Sequence, residues 1–157
     1  TLRFVQERFA KICLRSCLSN LSVQFRTSKD EGPKLIVGSM TSEQENLDTL
    51  MHIIVAQNIG WDVTYVGGNI PHDELIHIAN KISARAMVLA FNNSRDISRK
   101  AHEIKVIKNE SEQRDNIVLI GSEVHNFRQL ADDVKAIISN DLSSFRLTME
   151  RLYGLIR

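Results

Sequence analysis

The chain has 157 residues and a formal net charge of +1 at pH 7, with 43% hydrophobic and 25% charged residues. That length suits one domain with a proper core, and the balance is ordinary for a globular protein. A near-neutral charge excludes broad attraction to nucleic acid or membrane, and no apolar run approaches the roughly 20 residues that span a bilayer.

Residues 1–27 read as one helix. Leu14, Leu18, Leu21 and Phe25 make one apolar stripe, and Val5, Phe9 and Ile12 make a second, rotated one. A helix with two apolar faces covers something on both sides. One face is expected on the domain that follows, the other on a protein partner or a second copy. Cys13 and Cys17 lie four apart on one helix face, a poor geometry for a disulfide framework. They are expected as small buried core residues, in a reducing, cytoplasmic setting. No secretory signal is visible. The sequence opens at Thr1 in mid-pattern, so a fragment of a larger protein is expected.

Ser28–Pro33 is a turn-rich linker, which divides the chain into a helix and linker (1–30) and an α/β domain (31–157). Strands are predicted over Lys34–Ser39, Trp61–Val66, Ala86–Phe91, Asn116–Gly121 and Val134–Ile138. The first, third and fourth are almost uniformly apolar, as strands buried on both faces of a parallel sheet are. Helices are predicted between them, at about Glu43–Asn58, Pro71–Ser83, Arg95–Glu112, Ser122–Asp132 and Asp141–Leu155. The alternation predicts an α/β fold: a doubly wound, five-stranded parallel sheet in the flavodoxin-like (Rossmann-like) order 2-1-3-4-5.

In such a sheet, ligands sit at the carboxyl ends of the strands, beside the point where strand order reverses. The loops there carry Glu43, Glu45, Asn69, Asn92, Ser122 and His125. Neither a G-x-G-x-x-G nor a G-x-x-x-x-G-K-[ST] run is present, so a nucleotide phosphate has no cradle of either kind. Receiver-type phosphotransfer is disfavoured, because the third strand ends in Ala90-Phe91-Asn92, without a carboxylate.

The run Ile59-Gly60-Trp61-Asp62-Val63-Thr64-Tyr65-Val66-Gly67-Gly68-Asn69-Ile70-Pro71-His72-Asp73-Glu74-Leu75 resembles the framework phrase of cobalamin (vitamin B12)-binding domains. The similar subgroup is that of light- or redox-responsive bacterial regulators, and the resemblance spans about residues 8–140. It implies an upstream helical bundle that caps the cofactor, of which residues 1–27 would be the last helix. It also implies three ligand motifs, and all three are altered here. The D-x-H-x-x-G motif falls on Glu43–Asp48, so Glu45 replaces the cobalt-binding histidine and Asp48 replaces the glycine. Glutamate is a hard oxygen ligand and a poor substitute for imidazole on cobalt. The S-x-L motif falls on Ala90-Phe91-Asn92, which loses the serine and sets Phe91 where the cofactor's nucleotide tail would pass. The Gly-Gly pair falls on Gly121-Ser122, with one glycine kept. Glu43, Glu45, Asp48, Asn69, Ala90, Asn92, Gly121, Ser122 and His125 are therefore the candidate cofactor-site residues. No catalytic or metal-ligand set is assigned.

Of the histidines, His52, His72, His77 and His102 are expected as surface or packing residues. His125 on the ligand edge is the one that could meet a tetrapyrrole or a metal. Arg95, Arg99, Lys100, Lys105 and Lys108 are expected on a solvated helix face. Trp61 and Tyr65 are expected as core and rim.

The altered motifs favour a non-catalytic sensory or regulatory domain of a larger signalling or transcription-regulating protein. It would hold cobalamin or another tetrapyrrole without a histidine ligand, or hold none. DNA would be met only through a domain outside this chain. The alternative is a corrinoid-binding subunit of a methyltransferase or mutase. A third reading, an unrelated flavodoxin-like enzyme or nucleotide binder, is disfavoured by the missing phosphate loop.

Overall fold

The computed structural model describes residues 2–26, 32–41, 47–91, 97–113, 116–121, 124 and 128–154, with backbone alone at 22–26 and 97–99. The elements in chain order are α1 (Leu2–Arg26), β1 (Lys34–Ser39), α2 (Leu47–Ile59), β2 (Asp62–Gly68), α3 (His72–Lys81), β3 (Ala86–Ala90), α4 (Ile97–Glu110), β4 (Ile117–Ile120), α5 (Arg128–Val134), β5 (Ile137–Ile138) and α6 (Leu142–Tyr153). The five strands form one parallel sheet in the order β2-β1-β3-β4-β5, as the alternation predicts.

The three uniformly apolar strands are the central ones, and each buries both faces. Side chains alternate between the faces. Ile36, Met87, Leu89, Ile117 and Leu119 pack with Leu75 of α3, Ile104 and Ile107 of α4 and Ala131 of α5. Leu35, Val37, Ala86, Val88, Ala90, Val118 and Ile120 pack with Ile53 and Ala56 of α2 and with Phe145 and Met149 of α6.

β5 is shorter than the sequence pattern predicts. Val134 still belongs to α5, and a turn with Lys135 at φ +56° precedes the two-residue strand. Continuous aliphatic character across Val134–Ile138 conceals that turn.

The α2–β2 junction is built on two glycines. Gly60, at φ +122°, ends α2 with its N–H on the carbonyls of Ala56 and Gln57. Gly32 lies so close to the Gly60 carbonyl that a Cβ there would overlap it. Beside this junction Trp61 is buried, donates its Nε1–H to the Met149 carbonyl at 3.2 Å and meets Tyr153 edge to face. This ties α6 to the start of β2. Tyr65, by contrast, is exposed.

α1 lies against α2, yet among its described side chains only Leu18 is even half-buried. Leu2, Phe4, Val5, Phe9, Ile12 and Leu14 are 54–78% exposed. Cys13 and Cys17 are exposed too, against the expectation that they belong to the core. Their helix has no core around it within this chain's described residues.

α6 opens with a capping box. The Asp141 carboxylate accepts the Ser144 N–H at 2.7 Å, while the Asp141 N–H reaches Ser144 Oγ at 3.3 Å. The Ser144 backbone bond, and then its hydroxyl, hold the Asp141 carboxyl below its usual 3.8. A depressed carboxyl pKa stabilises the fold above the unfolded-state value and loses that effect as pH falls through the folded value. Asp141→Ala should therefore lower Tm at pH 7, and the difference from wild type should shrink as pH drops below the ordinary carboxylate range. Thermal melts by circular dichroism across that range check it.

Candidate functional site

The carboxyl edge is organised where β1 and β3 lie side by side and their connections leave in opposite directions. Three backbone bonds continue the sheet pattern into the loops. The Met40 N–H binds the Ala90 carbonyl at 2.9 Å, the Asn69 N–H binds the Ser39 carbonyl at 3.0 Å, and the Phe91 N–H binds the Ile120 carbonyl at 2.9 Å. Ser39 and Thr41 are both buried, and Ser39 Oγ donates to the Thr41 carbonyl at 3.0 Å.

Alternation then decides which layer each residue serves. Ala90 belongs to the α2/α6 layer, whereas Phe91 packs with Met40, Leu89 and Val124 in the α3/α4/α5 layer. This corrects the expectation that Phe91 obstructs the passage beside Ala90. The strand period of two sends its ring through the other face of the sheet.

Among the described residues, other side chains fill the α2/α6 layer. His52 of α2 is 4% exposed and meets Phe145 of α6 edge to face, with ring centroids 4.7 Å apart. Phe145 and Met149 are fully buried. His52 Nδ1 is 2.7 Å from the Asp48 carbonyl. A carbonyl only accepts, so Nδ1 carries the proton and donates. His52 is thus a packing histidine, one of the two roles expected for it.

Of the nine candidate residues, four are described. Asp48 stands in the first turn of α2, partly exposed, with its carbonyl held by His52. Asn69 is exposed after β2 in the left-handed region, at φ +51°. Ala90 ends β3, fully buried, and Gly121 follows β4 at φ +119°, a conformation that suits glycine. Main-chain bonds link Ala90 to the loop after β1 and link that strand's end to Asn69. Glu43, Glu45, Asn92, Ser122 and His125 lie outside the described residues. Among the described residues, no cluster of three or more His, Cys, Asp or Glu could hold a metal ion.

Phe145, Met149 and Leu152 recur at i, i+4, i+7 and mark the inward face of α6, a periodic signal from which Phe145 can be found. Lys100, expected on a solvated face, has its side chain only 16% exposed and 3.5 Å from Glu103.

No family model and no curated protein matches the sequence. Among the solved structures similar to it are two cobalamin- or corrinoid-related proteins. One is a novel cobalamin-binding protein from Desulfitobacterium hafniense DCB-2, with 12% identity and a TM-score of 0.63 over 79% of this chain and 60% of that one. The other is the Methanosarcina barkeri monomethylamine corrinoid protein, with 12% identity and a TM-score of 0.62 over 83% of this chain and 63% of that one. The likeness is one of fold. The chain spans less than two thirds of the length of either structure.

Removing the ring that closes the α2/α6 layer should be costly. Phe145→Ala should lose about 3–5 kcal/mol of stability, the usual range for truncating a buried aromatic residue. Urea denaturation followed by Trp61 fluorescence measures it.

Proposed function

We propose that this chain is a non-catalytic regulatory domain built on the cobalamin-binding fold, working within a larger signalling protein through contacts with other protein surfaces. The observation that carries the reading is the closed α2/α6 layer. The family resemblance implies a nucleotide tail descending past Asp48, Ala90 and Gly121. His52 and Phe145 meet edge to face in the layer that Ala90 faces. The described residues therefore do not fit a tail seated there. Glu45 in place of a cobalt-binding histidine supports the same reading from the sequence.

Contact with other proteins is supported by α1, whose apolar side chains are exposed along its N-terminal half. A helix in this state gains by association with a protein partner or a second copy. DNA enters only through a domain outside this chain, and the setting proposed is cytoplasmic. No described helix is long and apolar enough to cross a membrane.

A second reading is a corrinoid-holding domain of a methyltransferase or mutase, which keeps cobalamin with the cofactor's own base attached. It is favoured by the two similar structures, a cobalamin-binding protein and a monomethylamine corrinoid protein. Mixing purified protein with hydroxo-, methyl- or adenosylcobalamin, or with haem, and desalting separates the readings. The regulatory reading with a closed layer expects no colour to remain with the protein. Retention of a corrinoid at micromolar concentration overturns the closed layer and supports the second reading. Haem retention abolished by His125→Ala would instead assign a tetrapyrrole site to that histidine.

A further inference from the structure

A cleft of about 530 Å³ opens on the carboxyl edge between the β2–α3 connection and α4, and it is independent of the closed layer. Its walls are Asn69, Ile70, Pro71 and His72 on one side and Lys100, His102 and Glu103 on the other. The size lies within the usual range for small-molecule sites. Ile70 and Pro71 give it an apolar part, and the remaining lining is polar.

The polar groups are mostly donors. Lys100 and Glu103 lie one turn apart on α4, and both side chains are largely sequestered, at 16% and 13% exposure. Their 3.5 Å contact engages one corner of an ammonium that has three N–H groups to give. His72 and His102 bring imidazoles from opposite walls, and Asn69 adds a carboxamide. Pro71 precedes α3 without supplying a side-chain cap, so the positive end of that helix also borders the cleft. Three negative groups oppose this. Glu103 lines the cleft, while Asp73 and Glu74 are exposed in the first turn of α3 and lie outside the lining. Among the described residues, no three His, Cys, Asp or Glu side chains are grouped so as to hold a metal ion, so His72, His102 and Glu103 do not form a metal site.

We infer that this cleft binds a small molecule through its phosphate group, with Lys100, His72 and His102 as the donors and Glu103 as a brake on affinity. Donors from two walls suit the three-dimensional spread of phosphate oxygens better than a planar carboxylate. Lys100 supplies the charge, and the imidazoles and Asn69 supply directed N–H groups. The apolar strip of Ile70 and Pro71 is left for the remainder of the ligand.

The test uses the intact chain and inorganic phosphate as probe, at constant pH and ionic strength, with the histidine ring signals followed by NMR. The expected result is saturable movement of the His72 and His102 signals, with His77, exposed on the same α3, unmoved. Lys100→Met, which keeps the packed stem, should weaken the apparent affinity about tenfold, as loss of a charge-assisted contact does. Glu103→Gln should strengthen it, which a variant that merely disturbed the fold would not do. Lys105→Ala, on the exposed part of α4, should leave it unchanged. Absence of saturable movement in the millimolar range, or equal affinity in Lys100→Met and wild type, overturns the inference. Acetate binding as tightly as phosphate overturns the assignment to phosphate.

Discussion

The parallel pairing of β1 with β3 governs which side chains meet at the carboxyl edge. Leu35 aligns with Ala86 and Ser39 with Ala90, and the Met40 N–H extends the ladder by one more bond to the Ala90 carbonyl. Shifting that register by one residue would exchange the two faces of the sheet. Ala90 would leave the α2/α6 layer, and Phe91 would enter it. The chemistry available on each side of the edge thus follows from a backbone pairing that itself contains no functional group.

That pairing is held by burial on both faces. Strand and helix layers pack densely, and interiors of this kind tolerate little change in volume. On one face Phe91 closes the end of the core below the loops. On the other, His52, Phe145 and Met149 do so, with Trp61 anchoring α6 through its Nε1–H. Among the described residues, both layers beneath the edge are filled by the chain's own side chains. Among the described residues at the edge, Asn69, His72, Lys100 and His102 gather between the β2–α3 connection and α4.

Much of this was legible in sequence. Three apolar runs named the central strands, because only a strand covered on both faces can be apolar throughout. The glycine before Trp61 marked the end of α2, because a left-handed residue closes that helix. The order of the sheet followed from the alternation of elements. The site was less legible. Spacing says that Ala90 and Phe91 are neighbours, but the pleat sends them to opposite layers, and a motif alignment alone carries no such direction. Cys13 and Cys17 look like core residues by type, yet among the described residues nothing covers the part of α1 that carries them. Lys100 looks like a surface charge until Glu103, one turn on, holds it against a cleft wall. Glu43, Glu45, Asn92, Ser122 and His125 are read from the sequence alone.

In the function proposed above, the layer between the sheet and the α2/α6 pair stays closed to a cofactor tail. The chain's single tryptophan, Trp61, sits in that layer against Tyr153 and Met149, so its emission reports on any opening of α6. Titrating the protein with hydroxocobalamin while recording Trp61 fluorescence is the most direct measurement. A closed layer gives only the non-saturating attenuation caused by absorption of the added corrinoid. A saturable quench, or a wavelength shift that follows a binding isotherm, would contradict it.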